Sequence, residues 1–171
     1  MSVTGEGADR PPVKVGAPVT DITAGVLGAM GILGALFKRG KTGKGQLVDT
    51  SLFEAGIMHT FWQSSIYFGS GEIPKAMGSA HPLMAPYQAF KTKDGWINVG
   101  SANQGLWEKL LVVLGAEKVL SEEKFSDPNR RLENLSELEE LLTDFFGVEK
   151  TEVWIEKLEA AGIPAGPVLN I

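Results

Sequence analysis

From Ile22 to Phe37 the sequence ITAGVLGAMGILGALF holds no charged residue, with Asp21 at its front and Lys38 and Arg39 at its back. That order predicts a helix beginning near Ile22. The side-chain oxygens of Thr20 and Asp21 suit the unpaired N–H groups of a first turn, and cations suit the negative end of the helix dipole. Gly25, Gly28, Gly31 and Gly34 recur every third residue inside the run. Each costs about 0.5–1 kcal/mol relative to alanine in a helix interior, so the segment is a poor helix in isolation. Its small faces make sense where another backbone packs very close.

The pattern then changes period. KTGKG turns the chain, and QLVDT reads as a short strand. Ser51 followed by Glu54 fits a capping box that opens a second helix through LFEAGIMHTFWQSSIYF, ending near Gly69. Helix, strand and helix in succession are the grammar of an α/β domain, and the sheet partners of QLVDT must come from elsewhere. GSGEIPKAMGSAHPLMAP breaks the periodicity. Beyond it YQAFKT and WINVGS flank Lys93, Asp94 and Gly95, an Asp-Gly hairpin signal. A helix near Asn103 would carry Leu106, Trp107, Leu110, Leu111 and Leu114 on one stripe. Another runs through NLSELEELLTDFF, and a third takes Thr151 as N-cap and stops at Gly162. The reading is α/β and α+β: residues 1–74 as part of a large α/β domain (helix–strand–helix), and 75–171 as a small α+β domain with an antiparallel hairpin and three helices. Residues 1–19, rich in glycine and proline, are expected to be irregular or extended, and GIPAGPVLNI to be extended.

Composition narrows the function classes. With 171 residues, 43% hydrophobic and 22% charged, the chain reads as globular, and a net charge of -5 gives no field to attract nucleic acid. The short basic patch FKRGKTGKG reads as a solvated loop that could meet a phosphate. There is no cysteine, so disulfides and thiolate chemistry are excluded, which suits a cytoplasmic location. His59 and His81 are the two histidines and carry no metal-ligand spacing, so no metal is expected. The N-terminal stretch lacks a signal-peptide pattern, and the Ile22–Phe37 run falls short of the roughly 20 residues that span a bilayer, so no membrane partner is expected.

Asp21 is the residue with two open readings. A carboxylate at a helix start is commonly a cap, and in a pocket it can be a base or a nucleophile. Spacing alone does not separate them. His59, within an apolar helix, is expected to be a satisfied buried histidine, while Asp49 and Glu54 read as structural. Trp62, Trp107 and Trp154 read as core residues, and Trp96 beside the hairpin turn as packing.

Four motifs in order carry a resemblance. PPVKVGAPVTDITAG, GILGALFKRGKTGKGQLVDTSLFEAG, GSAHPLMAPYQAFKTKDGWINVGSANQGLWEKL and AGIPAGPV together closely resemble the class III CoA-transferases, a family including formyl-CoA transferase, carnitine CoA-transferase and α-methylacyl-CoA racemase. The resemblance implies that Asp21 is catalytic, attacking an acyl-CoA thioester and passing CoA to a small carboxylic acid; CoA is then a substrate, and no cofactor is permanently bound. It implies for Gly78, Ser79, Ala80 and His81 the place of a loop that closes over the acyl intermediate, although GSAHP lacks the glycine-rich form; a plain loop histidine is the alternative for His81. Racemase-type proton transfer at Asp21 is an alternative, although that branch also uses an upstream histidine that this sequence lacks. A non-catalytic oligomerising fragment is another. Family members are roughly twice as long and form interlocked dimers. The chain therefore reads as an internal piece lacking an N-terminal Rossmann-like half and a C-terminal return segment, with a homo-oligomer expected.

Overall fold

Helix α1 runs from Val19 to Thr42 in a computed structural model that describes residues 2–7 and 9–171. It starts three residues before the expected Ile22 because Pro18 takes the N-cap position, where a missing N–H is no loss. Asp21 therefore sits inside the first turn, and no side chain caps the helix; the Thr20 hydroxyl donates to Asp21 Oδ2 at 3.2 Å instead. Gly43, at φ +71°, ends the helix and donates its N–H to the Arg39 carbonyl at 2.7 Å. At 24 residues with a mean hydropathy of 1.6 over its apolar window, α1 is long and apolar enough to cross a bilayer by length and composition. The expectation from the uncharged run alone underestimated it, because the helix continues through Lys38–Thr42. Core helices of soluble proteins meet the same criterion.

The described chain divides into two compact units, Met1–Gly78 and Ser79–Ile171. In the first, residues 46–50 follow α1 but form no ladder, since the unit holds no other strand among its described residues. The strand expected in QLVDT is thus not formed. Instead Val48 rests on α1: a Cβ at Gly31 would fall 2.6 Å from Val48 Cγ1, and one at Gly28 would touch the Thr50 methyl at 3.7 Å. Gly25 and Gly34 face open space and Gly28 makes an ordinary contact, so of the four glycines Gly31 makes the close approach.

Helix α2 (Leu52–Met58) opens at Ser51, whose hydroxyl accepts the Glu54 N–H and donates to the Glu54 carboxylate, both at 3.1 Å. One continuous second helix was expected. The chain instead breaks at His59–Thr60, where the Thr60 hydroxyl takes the Ile57 carbonyl at 2.8 Å, and α3 covers Phe61–Ser70. The N-terminal lead contains no helix or strand among its described residues, but it is pinned: Val13 N–H donates to the Thr4 carbonyl at 2.9 Å, the Thr4 hydroxyl donates to the Val13 carbonyl, and Gly78 N–H reaches the Gly5 carbonyl at 2.8 Å. Ala55 and Ala76 are buried in this unit, while Met30, Leu33, Phe37, Phe53, Phe61 and Phe68 are exposed. Trp62, expected in a core, is 46% exposed.

The second unit has a true core. Strands β1 (Tyr87–Lys91) and β2 (Trp96–Gly100) form the predicted hairpin, with Lys91 opposite Trp96, and β3 (Ala165–Pro167) joins the far side of β2 antiparallel. Phe90, Ile97 and Val99 alternate onto the buried face. They meet Trp107, Leu110 and Leu111 of α4 (Gln104–Leu114), Leu138, Leu142 and Phe146 of α6 (Leu135–Gly147), and Trp154 and Leu158 of α7 (Thr151–Ala160). A short helix α5 (Pro128–Glu133), capped by Asp127, and two 3₁₀ turns (Glu117–Ser121, Glu123–Phe125) add to the three helices expected.

Thr151 is not the cap of α7 but its first residue. The cap is supplied across the fold by Asp94 of the hairpin turn, which accepts the Thr151 N–H at 2.9 Å and hydroxyl at 3.0 Å. The backbone bond from Thr151, aided by its hydroxyl and by Lys150, holds the Asp94 carboxyl below its ordinary value against the opposing effect of desolvation. Trp96 is 49% exposed rather than packed, and Gly162, at φ +70°, ends α7 as expected.

Arg131 is the feature that sequence pattern did not announce. It is 1% exposed, donating to the Ala85 carbonyl, the Phe125 carbonyl and Gln104 Oε1, each at 2.9 Å, with its guanidinium 5.1 Å from the Trp107 ring centre.

Candidate functional site

The first unit places Asp21 on the wall of a groove of about 840 Å³. One side is the non-helical run Pro12–Val15 with Ala17 and Pro18, continuing into Val19, Thr20 and Asp21 of the first turn of α1; the other is Leu52, Phe53, Gly56 and Ile57 of α2. Local chemistry explains the shape. Prolines at 11, 12 and 18 keep the approach out of helix, the Ser51 cap sets where α2 begins, and Gly56 lets the Thr20 methyl come within 3.5 Å of where a Cβ would stand.

The groove is mostly apolar, with Asp21 its one carboxylate and Lys14 its one cation among the described residues. Asp21 is exposed to solvent and lies at the positive end of the α1 dipole. A carboxylate so placed can attack an acyl carbon or take a proton. Near by, Thr23 Oγ1 and His59 Nε2 are hydrogen-bonded at 2.8 Å, tying α1 to the end of α2. His59 is therefore exposed and partnered rather than buried, because the helix expected to enclose it ends there.

The four loop residues fall differently. Gly78, at φ +61°, closes the first unit and does not line the groove. Ser79, Ala80 and His81 belong to the second unit and lie along the free edge of β1. Ser79 Oγ accepts the Ala89 N–H at 3.0 Å, and His81 N–H donates to the Tyr87 carbonyl at 2.9 Å. The His81 ring stacks on Tyr87 with centres 5.2 Å apart and accepts the Leu83 N–H at Nδ1 at 3.1 Å. Partial burial pushes its pKa below the ordinary 6.5. The segment thereby covers a sheet edge that would otherwise show unpaired groups. Among the described residues, no group of three or more His, Asp or Glu side chains is placed to hold a metal ion.

All 171 residues match the family model for CoA-transferase family III. The chain belongs to that family. It is 33% identical over 172 residues to the succinyl-CoA:glutarate CoA-transferase of Homo sapiens, covering 100% of this chain and 39% of that protein. It is likewise 33% identical to the succinyl-CoA:mesaconate CoA-transferase of Haloarcula hispanica, over 99% of this chain and 42% of that one. The crystal structure of a CAIB/BAIF family protein from Brucella suis superposes with a TM-score of 0.82 at 36% identity, covering 99% of this chain and 45% of that chain. The family III chain thus spans about two-fifths of the length of the curated relatives it matches, and it shares their neighbour's mixed helix-and-strand fold.

Sequence reasoning singled out Asp21 but not its surroundings. Lys14 stands inside PPVKVG, seven residues ahead of Asp21, where no helical or strand period connects the two. The α2 wall was legible only as a capping box, since nothing in a one-dimensional pattern brings Phe53 and Ile57 against Pro12–Val15.

Proposed function

We propose that Asp21 is the nucleophilic carboxylate of a CoA transfer between an acyl-CoA thioester and a small carboxylic acid. The observation that supports this is the position of Asp21 on the groove wall, in the first turn of α1, within a chain matched along its whole length to family III. In the proposed cycle an Asp21 oxygen attacks the thioester carbonyl carbon and CoA leaves as thiolate, giving a mixed anhydride. The thiolate then attacks the aspartyl carbonyl, releasing the donor acid as carboxylate and leaving an aspartyl-CoA thioester. The acceptor carboxylate attacks that thioester, and the freed thiolate takes the acceptor acyl group, restoring Asp21. CoA enters and leaves as substrate, without a resident cofactor, in a cytoplasmic setting.

A second reading, association through the first unit, is favoured by its exposed Met30, Leu33, Phe37, Phe53, Phe61 and Phe68. An apolar surface of this extent drives assembly, and a homo-oligomer in water, rather than a membrane-bound helix, is the form we assign. Light scattering at micromolar concentration should give more than the monomer mass; a monodisperse monomer refutes it.

Incubation with an acyl-CoA followed by hydroxylamine should leave a hydroxamate on Asp21, located by peptide mass spectrometry and missing in Asp21→Asn. An unmodified Asp21 in a chain that binds the thioester refutes the nucleophilic role.

A further inference from the structure

Lys14 makes no ion pair with any described residue, Asp21 included, although both line the same groove. Its place is set on both sides. The preceding Val13 is bonded in both directions to Thr4, and the following residues lead through Pro18 directly into the first turn of α1. The same groove is lined by Val15, Val19, Leu52, Phe53 and Ile57. A groove with a carboxylate reagent, a separate ammonium and apolar walls is complementary to a molecule with a reactive acyl carbon, a short apolar spacer and a second negative charge.

We propose that Lys14 is a specificity-determining residue that receives the distal carboxylate of a dicarboxylic acyl group, while the apolar walls cover its methylenes. This rests on the reading of Asp21 as the nucleophile. A second negative charge brought near Asp21 is repelled by it, and the ammonium offsets that repulsion. A monocarboxylic acyl chain leaves the ammonium without a partner as the bound acyl group displaces water. Pairs in open water are weak, but partial drying and complementarity raise their selectivity.

Succinyl-CoA and butyryl-CoA test this, because the two acyl groups have the same carbon count and differ in a terminal carboxylate against a methyl. Titration calorimetry should show the chain binding succinyl-CoA about tenfold more tightly, a ratio that shrinks as sodium chloride is raised. Lys14→Gln should bring the ratio to about one by weakening succinyl-CoA alone, and Lys14→Arg should preserve it. Unchanged circular dichroism melting confirms that both variants fold. Equal affinity for the two thioesters in the unsubstituted chain, or a preference that survives Lys14→Gln, overturns the proposal. If hydroxylamine still traps Asp21 with both thioesters, the nucleophile reading stands and only the role of Lys14 falls. If neither thioester binds at millimolar concentration, both fall.

Discussion

Replacing Arg131 by methionine sets two large effects against each other. The guanidinium is a buried cation with no carboxylate in ion-pair contact among the described residues, and burial lowers its pKa while Asp127 and Glu108 oppose the shift. Removing a desolvated charge is by itself favourable by a few kcal/mol. Its three acceptors do not leave with it, however. Two are the backbone carbonyls of Ala85 and Phe125, which no side-chain substitution removes; the third, Gln104 Oε1, is able to turn towards water. Each stranded buried acceptor costs about 1–3 kcal/mol, and the lost stacking on Trp107 adds about 0.5–2 kcal/mol. The asymmetry favours destabilisation, by about 3 kcal/mol for Arg131→Met and more for Arg131→Ala, which also leaves a cavity. Thermal unfolding followed by the fluorescence of buried Trp107 and Trp154 reports this unit. At ~4–8 °C per kcal/mol for a unit of this size, the melting point should fall by more than 10 °C. A methionine variant as stable as the parent would show that the burial penalty of the cation outweighs its hydrogen bonds, and would refute the reasoning.

Three further substitutions probe the helix ends and faces. Gly31→Ala places a Cβ 2.6 Å from Val48 Cγ1, and an overpacking cost of about 1–3 kcal/mol should outweigh the ~1 kcal/mol gain in helix propensity. Gly34→Ala, with open space around it, should keep the gain; thermal melting of the pair gives the order, and equal melting points would contradict it. Asp94 has a depressed pKa, so its contribution is complete above the ordinary carboxylate value near 3.8 and is lost as pH falls through the lower folded value. Asp94→Asn should therefore match the parent's acid limb more closely at pH 2 than at pH 6, and a constant difference across acid titration of stability would contradict the charge-based part of the cap.

Elements whose signals are local were legible from the residues alone. The hairpin around Asp94-Gly95, the stripe from Leu106 to Leu114, the Ser51 cap and the stop at Gly162 each depend on neighbours a few positions away, so the linear pattern contains their cause. The Thr151 cap was misplaced because its partner, Asp94, is 57 residues distant. QLVDT has strand character, yet a ladder needs a second strand and the described residues of its unit offer none; its Val48 settles on Gly31 instead. Motif order was enough to indicate the family and to single out Asp21. The groove beside Asp21, the cation at Lys14 and the buried Arg131 depended on tertiary structure, because a pocket arises when segments with no shared period meet, and a buried arginine is tolerated only where distant carbonyls converge on it.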